Sequence, residues 1–244
     1  MVKKLETAVL LVGGGGSRLK SVTKGDIPKP LVEVNGKPII NWSLDWLKYN
    51  GIKNIIFATA DKRQKIQEYM ESHENLGLKV QYSENPYDSG TGGAFKKAIE
   101  EFVPDEDFVA MNGDELTNLD LYEMARQHFS HKPLLTMALS PLYCPFSIAE
   151  LERENNSNVG KLTRFRYGLY VQDLLVSIGI YIFNSGIKNL LPKKGSIEDS
   201  LFTRLAQDGR VLGYMLKYGE EWTTINNPKD VKIAENKLRT WSKI

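Results

Sequence analysis

The fold is indicated first by residues 8–16, which read Ala8-Val9-Leu10-Leu11-Val12-Gly13-Gly14-Gly15-Gly16. A short, continuous apolar run bounded by glycines is typical of a strand that is buried on both faces of a sheet. Glycines directly after such a strand let the backbone approach a ligand closely, and their successive N–H groups can bind phosphate oxygens. A flexible turn from strand to helix explains the same glycines equally well, so the phosphate site stays open at this point.

Strands and helices alternate through the first half of the chain. Further buried strands are predicted at 54–59, 79–83 and 108–111, and helices at 38–50, from about 61, at 91–101 and at 119–129. After Lys132, strand-like runs dominate at 134–140, 147–151, 161–166 and 174–183, with helices at 196–207 and from Pro228. We therefore expect an α/β, Rossmann-like three-layer sandwich with a mostly parallel, mixed sheet. It would form one domain, 1–244, with functional halves at about 1–132 and 133–244.

Composition is that of an ordinary soluble domain. The 244 residues are 41% hydrophobic and 25% charged, and 32 basic against 30 acidic side chains leave a net charge of +2. Without a long basic run, neither a nucleic acid nor a membrane surface is an expected partner. The one cysteine, Cys144, allows no intrachain disulfide, and the apolar run at 8–12 is too short for a signal peptide core or a membrane span. These features predict a cytoplasmic protein.

Two cationic side chains follow the glycine run. Ser17-Arg18 ends it, and Pro28-Lys29-Pro30 comes shortly afterwards. The two prolines stiffen the backbone around Lys29, and a preorganised cation is what the charge on a transferring phosphorus requires. A Walker loop would end in Gly-Lys-Ser/Thr, and a dinucleotide fingerprint would place a third glycine at Arg18, so neither motif fits. Taken alone, the tripeptide around Lys29 is better explained as a rigid surface loop, but the glycine run beside it favours a phosphate site.

These stretches together resemble the sugar-phosphate nucleotidyltransferases, the NDP-sugar pyrophosphorylase type. Members of that family begin with an apolar strand, then Gly-Gly-x-Gly-Ser/Thr-Arg-Leu, then Pro-Lys-Pro. Four motifs match in order along the first half of this chain: Gly13-Gly14-Gly15-Gly16-Ser17-Arg18-Leu19, Pro28-Lys29-Pro30-Leu31, Gly90-Thr91-Gly92-Gly93-Ala94 and Met111-Asn112-Gly113-Asp114. The resemblance implies a nucleotide-diphospho-sugar transferase-like fold, with the nucleotide bound by the first half and the sugar phosphate by the second.

The resemblance also implies roles for the matching residues. Arg18, Lys29 and Asp114 would be catalytic, and Asp114 would bind Mg²⁺. The residues implied to bind the nucleotide are Val12, Gly13, Gly14, Gly15, Gly16, Ser17, Glu84, Gly90, Thr91 and Asn112. Asp114 follows a buried strand, where open α/β sheets place their ligands, and a carboxylate suits a hard cation. The residues alone also allow a turn aspartate at Asp114 and a glycine-rich helix start at Gly90.

The second half departs from the family pattern at its expected metal and sugar-phosphate residues. Where members carry Trp-x-Asp, with an aspartate as second magnesium ligand, this chain has Trp222-Thr223-Thr224. Thr224 is a poorer ligand than a carboxylate, and an amide oxygen of Asn226 or Asn227 is the alternative. The sugar-phosphate residues are predicted to be Arg166, Ser177 and Gly179, with Arg166 in place of the lysine that the family uses.

The resemblance implies transfer of a nucleoside monophosphate from a nucleoside triphosphate to a sugar 1-phosphate, with Mg²⁺ as cofactor and pyrophosphate as the second product. Within the family, the motifs look most like heptose- or mannose-1-phosphate guanylyltransferases, which slightly favours GTP. Two alternatives stay open: a catalytically weakened nucleotide- or sugar-phosphate-binding regulatory protein, as Thr224 suggests, and an enzyme acting on a non-sugar phosphate such as phosphocholine. Tyr167, Tyr170 and Tyr181 could cage a quaternary amine, although packing within strands explains them better. The oligomeric state stays open.

Several residues are not expected to carry chemistry. His73, His128 and His131 lie in polar helical stretches without metal-ligand spacing, so we expect surface histidines. Trp42 and Trp46 stand one helical turn apart, which is more typical of a core than of a base-stacking platform.

Overall fold

A computed structural model of the chain describes residues 4–13, 19, 23, 27–60, 63–104, 106–153 and 158–241. The described strands are β1 Thr7–Leu11, β2 Glu33–Val34, β3 Lys37–Pro38, β4 Asn54–Thr59, β5 Lys79–Glu84, β6 Phe108–Asn112, β7 Glu115–Thr117, β8 Leu135–Arg153, β9 Gly160–Phe183, β10 Val211–Met215 and β11 Trp222–Thr224. The described α-helices are α1 Ile39–Tyr49, α2 Arg63–Ser72, α3 Gly90–Phe102, α4 Leu121–His131, α5 Thr203–Gln207 and α6 Pro228–Leu238. Among these helices, none combines the length and the apolar character needed to cross a bilayer.

The central sheet has seven strands in the order β10-β8-β9-β6-β1-β4-β5. Strand β9 runs antiparallel to both of its neighbours, and every other neighbouring pair is parallel. The predicted α/β fold with a mostly parallel, mixed sheet is therefore confirmed. Because β6 from the first half pairs with β9 from the second, the two halves share one sheet.

Successive side chains of β1 point to opposite faces of the sheet and are buried in two different core clusters. Leu10 points into a cluster that includes Leu44 of α1, while Val9 joins a second cluster on the other face with Ile99 of α3. A third cluster packs α6 against the short β7–β11 ladder through residues such as Ile225. Helices therefore cover both faces of the sheet, as the continuous apolar strands require.

Strand β1 lies at the point where the strand order reverses. Its neighbours are β4 on one side and β6 on the other. After β1 the chain adds β4 and then β5 on one side, and it then returns to add β6 on the other side. In open α/β sheets, ligands bind in the crevice beyond the carboxyl ends of the strands at such a switch point. The carboxyl ends of β1 and β6 are therefore the place to look for a site.

The second half differs from expectation in its elements. The four predicted strands merge into two, β8 and β9, which continue as a two-stranded ribbon beyond the sheet. The predicted helix at 196–207 is divided into a π-helical turn, Glu198–Phe202, and the short α5. The pairing of β8 with β9 shifts register at four places. The hydrophobic pattern of the sequence could not distinguish one strand interrupted by bulges from several short strands.

Two expectations about exposure are wrong. His128 is a buried residue instead of a surface one, and its Nδ1 hydrogen-bonds Thr136 Oγ1 of β8 at 2.7 Å. Tyr181 packs in the core as expected, but Tyr167 and Tyr170 are exposed because they lie on the ribbon beyond the sheet.

Candidate active site

A cleft opens at the switch point of the sheet. It is lined by the ends of two parallel strands and by a short 3₁₀ turn at Lys29–Leu31: the lining residues are Leu11, Val12, Lys29, Pro30, Gly113 and Asp114. Three of these residues, Val12, Lys29 and Asp114, were predicted from the sequence motifs to take part in nucleotide transfer. The fold therefore brings the second and fourth motifs together with the end of the strand that precedes the first motif.

Lys29 is held by oxygen atoms from two distant parts of the chain. Its side chain is only 15% exposed, and its ammonium forms an ion pair with Asp114 Oδ2. The same ammonium donates a hydrogen bond to Asn226 Oδ1 at 3.2 Å. Since a charged hydrogen bond is about twice as strong as a neutral one, both contacts keep the cation aimed into the cleft.

Gly113 positions Asp114. The Gly113 N–H donates to the Leu11 carbonyl at 2.9 Å, which ties the end of β6 to the end of β1. A Cβ at this glycine would lie 2.7 Å from the same carbonyl oxygen, closer than real Cβ contacts allow. The Asn112-Gly113-Asp114 sequence is therefore required by a close approach of two backbones, which places the Asp114 carboxylate at the cleft.

Glu115 is a site residue that sequence reasoning missed. Its side chain is buried, and its Oε2 accepts a hydrogen bond from Trp222 Nε1 at 2.7 Å. Burial, assisted by the neighbouring Asp114 charge, raises the pKa of Glu115 to about 8, against the opposing effect of hydrogen bonds from Trp222 and Thr224. A raised pKa favours the uncharged form of this buried acid, and the ion pair with Lys29 is made by Asp114 instead. The sequence signal was an acid directly after Asp114, but its partner lies 107 residues away.

The β7–β11 ladder places Thr224, which stands where the family has its second magnesium-binding aspartate, beside Glu115. Thr224 stands directly opposite Glu115 across the ladder, and Asn226 Nδ2 donates to Thr224 Oγ1 at 3.1 Å. Asn227 has a structural role instead, because its side chain caps α6 by accepting from the backbone N–H groups of Lys229 and Asp230. Of the two asparagines proposed as metal ligands, Asn226 is thus the one that faces Lys29.

Gly179 and Asn112 lie against each other beside Glu115. Gly179 has a φ of +71°, and a Cβ there would lie 2.6 Å from Asn112 Nδ2 and 3.0 Å from Glu115 Oε1. Ser177 is close by, since its hydroxyl accepts a hydrogen bond from the Gly179 N–H at 3.4 Å. Arg166, in contrast, lies earlier on β9, opposite Ile148 on the ribbon, and is not one of the residues that line the cleft.

The glycines of the third motif are packed against the second half of the chain. Gly90 has a φ of +67°, and a Cβ on it would lie 2.5 Å from the Gly195 carbonyl oxygen. Thr91 donates to Glu198 Oε2 at 2.9 Å and accepts from the Ile197 N–H at 2.9 Å. These contacts explain the glycines by close packing at the start of α3, and a nucleotide role for Gly90 and Thr91 stays a prediction.

The remaining residues predicted at the nucleotide fall into three groups. Val12 and Gly13 directly follow β1; Val12 lines the cleft, and a Cβ on Gly13 would lie 2.8 Å from the Ala60 nitrogen. The Glu84 side chain ends β5 and accepts a hydrogen bond from Arg63 at 2.8 Å on the exposed surface. Gly14, Gly15, Gly16, Ser17 and Arg18 lie outside the described residues.

Comparison with known proteins agrees with this geometry. Residues 7–147, which include β1, Lys29, the α3 glycines and Asp114, match the family described as nucleotidyl transferase. The chain belongs to the nucleotidyl transferase family. That match covers all four motifs, including Lys29 and Asp114, which line the cleft.

Individual relatives of this nucleotidyl transferase extend over almost the whole chain. A D-glycero-alpha-D-manno-heptose 1-phosphate guanylyltransferase of Aneurinibacillus thermoaerophilus is 30% identical over 236 residues, which cover 95% of this chain and 98% of the relative. One of the same name from Campylobacter jejuni is 34% identical over 199 residues, covering 80% and 84%. Among solved structures, HddC from Yersinia pseudotuberculosis has a TM-score of 0.74 at 25% identity, covering 96% of this chain and all of that one.

Proposed function

We propose that this nucleotidyl transferase moves a nucleoside monophosphate from a nucleoside triphosphate to a sugar 1-phosphate. The products are an NDP-sugar and pyrophosphate. One observation carries the proposal: the Lys29 ammonium, the Asp114 carboxylate and the Asn226 amide meet at the switch point between β1 and β6. Anionic ligands bind at this point in open α/β sheets, and the family match covers both strands.

The proposed chemistry needs charge stabilisation and positioning. An oxygen of the sugar phosphate attacks the α-phosphorus, a new P–O bond forms, and the bond between the α-phosphorus and the bridging oxygen breaks to release pyrophosphate. A phosphate monoester is already anionic near neutral pH, so the chain needs no general base. Lys29 would neutralise charge that develops on the α-phosphate, because an ammonium held rigidly in a partly buried cleft loses little energy to reorganisation.

The cleft suits Mg²⁺ through its oxygen atoms. Asp114 Oδ2 and Asn226 Oδ1 already converge on one cation, the Lys29 ammonium, so the site has the charge and donor type that a hard cation takes. Among the described residues, no three His, Cys, Asp or Glu side chains gather into a metal site. Mg²⁺ commonly keeps waters and substrate phosphates as ligands, and we propose that Asp114 and Asn226 supply the protein's share. The ion would neutralise charge on the phosphates of the bound triphosphate.

The relatives favour particular substrates. Two relatives that match most of the chain are named heptose 1-phosphate guanylyltransferases, and the Yersinia protein was also solved complexed with GMP-PN. We therefore propose GTP and a heptose or mannose 1-phosphate as the first pair to test. A cytoplasmic location completes the proposal, since one cysteine calls for no oxidising compartment.

The test is pyrophosphate release with Mg²⁺, pairing each of GTP, UTP, dTTP, CTP and ATP with a panel of sugar 1-phosphates and phosphocholine. We expect release that requires one triphosphate and one sugar phosphate together, with GTP and a heptose or mannose 1-phosphate fastest. Release with phosphocholine alone would assign a non-sugar acceptor. Silence across the panel, together with a rise in melting temperature on adding a triphosphate, would support a binding protein in place of the enzyme.

A second arm of the test addresses the metal. Chelation with EDTA should abolish release, and added Mg²⁺ should restore it. Asp114→Asn should weaken Mg²⁺ binding measured by calorimetry in the presence of the triphosphate, with the circular dichroism spectrum unchanged. Binding and turnover equal to those of the unaltered chain would remove Asp114 from the proposed site.

A further inference from the structure

One face of the β7–β11 ladder carries a row of polar side chains that leads to the cleft. Glu115 and Thr224 stand opposite each other across the ladder. Trp222 lies on the same face as Thr224, because side chains two residues apart on a strand share a face. Hydrogen bonds join these three side chains to Asn226, whose own amide reaches Lys29. The row therefore connects a buried acid to the cation of the cleft.

The direction of hydrogen bonding in this row is fixed at the Lys29 end. An ammonium can only donate hydrogen bonds, so the atom of Asn226 that meets Lys29 at 3.2 Å must be the amide oxygen. The amide nitrogen then points the other way and donates to Thr224 Oγ1 at 3.1 Å. Thr224 must therefore act as an acceptor toward Asn226.

The opposite end of the row agrees with this direction. An indole N–H can only donate, and Trp222 Nε1 donates to Glu115 Oε2 at 2.7 Å. The bond from Asn226 uses a lone pair of the Thr224 hydroxyl, so its hydrogen stays available and is donated to the Glu115 carboxyl group across the ladder. Thr224 thus accepts and donates through one oxygen atom, and it links the buried acid to the amide of Asn226.

A hydroxyl suits this place better than the aspartate that the family carries there. A carboxylate at position 224 would turn acceptor oxygens toward the Glu115 carboxyl group, and two acids in contact repel each other or must share a proton. Valine has nearly the same shape as threonine but can neither accept from Asn226 nor donate to Glu115. Among the described residues that line the cleft, Thr224 does not appear. Its contacts are therefore with the side chains that support the cleft.

We propose that Thr224 is a positioning residue, whose hydroxyl holds the Asn226 amide so that the amide oxygen faces Lys29 and the cleft. Threonine at this position then has a role of its own and is not a weaker second metal ligand. The effect on turnover rests on the proposed function, whereas the orientation of the amide can be measured without any substrate.

Nuclear magnetic resonance of the isotope-labelled full chain tests the orientation. Asn226→Ala identifies the side-chain amide signals that belong to Asn226. In Thr224→Val, we expect these signals to exchange faster with water, because the amide nitrogen has lost its acceptor. Thr224→Ser keeps the hydroxyl and should keep the slow exchange. Exchange in Thr224→Val equal to that of the unaltered chain would overturn the proposal.

Thr223→Val is the matched control for these measurements. Thr223 is the neighbour of Thr224 on β11, but its side chain points to the other face of the ladder. The same change of residue type there should leave the Asn226 signals as they are. Circular dichroism melting checks that each variant is folded, and Thr224→Ala replaces Thr224→Val if the latter does not fold.

Turnover separates positioning from direct metal binding. Asn226→Ala and Thr224→Val should each lower the turnover number for pyrophosphate release by about tenfold. The double variant should be no slower than Asn226→Ala alone, because Thr224 acts through Asn226. In the Asn226→Ala background, Thr224→Val should also leave the Mg²⁺ dissociation constant unchanged, measured by calorimetry with the triphosphate present. Losses that multiply in the double variant would overturn the proposal in favour of Thr224 as a metal ligand.

Failure of this proposal and failure of the proposed function give different results. If no pair of substrates turns over, the proposed function fails, and the exchange of the Asn226 amide still decides the role of Thr224. If the unaltered chain turns over and Thr224→Val matches it in both exchange and turnover, the proposed function stands and the positioning role is wrong.

Discussion

Lys29 shows how a single side chain acquires a function from its surroundings. Its two flanking prolines hold the backbone, but the direction of the ammonium is set by Asp114 and by Asn226, which is 197 residues away. The raised pKa of Glu115 belongs to the same arrangement, because its causes are burial beside the cleft and the neighbouring Asp114 charge. The cation is thus aimed before any substrate arrives.

Lys29→Ala should lower the turnover number for pyrophosphate release by about 100- to 1000-fold, the loss that follows removal of one preorganised charge-stabilising donor. Lys53→Ala is the control: Lys53 also forms an ion pair, with Glu6 at 2.7 Å, but it lies at the amino edge of the sheet. Steady-state kinetics of both variants measure the effect. A loss of less than about tenfold in Lys29→Ala would make Lys29 a surface-loop residue.

Gly179→Ala should disturb the site through a steric contact. Both Gly179 and Gly36 have a positive φ, +71° and +74°, so an alanine at either position carries the left-handed backbone cost of about 1 kcal/mol. Only at Gly179 would the new Cβ also meet Asn112 and Glu115, whereas nothing lies within 4 Å at Gly36. Gly179→Ala should therefore lose more stability than Gly36→Ala in urea unfolding, and it should lose activity as well. Equal losses in the two variants would show that the contact has no consequence.

At the scale of elements, helix α6 and the β7–β11 ladder place the second-half residues of the cleft. Asn227 and Asp230 form a capping box at the start of α6, and Asp230 Oδ2 also accepts from the Asn226 N–H at 2.7 Å. Ile225 packs into the third cluster and donates its N–H to the Asp114 carbonyl at 3.1 Å. The cap thus fixes the loop from which Asn226 reaches Lys29.

The neighbouring asparagines should separate stability from activity. Asn227→Ala removes a helix cap and should lower the free energy of unfolding by about 1 kcal/mol, while Asn227→Ser should recover most of it. Asn226→Ala removes a hydrogen bond from the Lys29 ammonium and should lower turnover by about tenfold or more, whereas Asn227→Ala should leave turnover nearly unchanged. Denaturant unfolding and pyrophosphate release measure the two quantities. If Asn227→Ala lowered turnover as much as Asn226→Ala does, the assignment of roles would be wrong.

At the scale of the molecule, β9 joins the two halves. Phe183 at its end is fully buried and contacts the rings of Phe95 and Phe108 from the first half and of Phe202 from the second. Removing β9 would expose the edge of β6 and open this aromatic cluster. The prediction of one domain at 1–244 therefore implies one cooperative unfolding transition.

Phe183→Ala should lower the free energy of unfolding by about 3–5 kcal/mol, because it leaves a cavity in the cluster shared by both halves. Tyr122→Ala is the control, since Tyr122 is mainly exposed on α4 and its loss should change stability little. Urea unfolding followed by circular dichroism measures both, and the transition of each variant should stay single. Two separate transitions in the unaltered chain would contradict the one-domain prediction.

Local pattern was enough to predict much of the protein. The apolar run at 8–12 and the alternation after it predicted the buried strands and the mostly parallel sheet, because burial on both faces demands continuous apolar residues. The resemblance of the glycine and proline motifs to those of the family also pointed to Lys29 and Asp114. Both signals are short-range and can therefore be read from neighbouring residues.

Long-range contacts were needed for the rest. Glu115 acquires its raised pKa from burial and from Asp114, while its hydrogen-bond partner Trp222 comes from the far end of the chain. The choice of Asn226 over Asn227 depends on which one caps a helix. Arg166 was predicted beside the sugar phosphate; it lies on the ribbon of β8 and β9, opposite Ile148, outside the residues that line the cleft, and its role stays a prediction. These properties depend on which distant segments pack together, and the pairing of distant segments is set by the whole sheet and its core, not by any one stretch of residues.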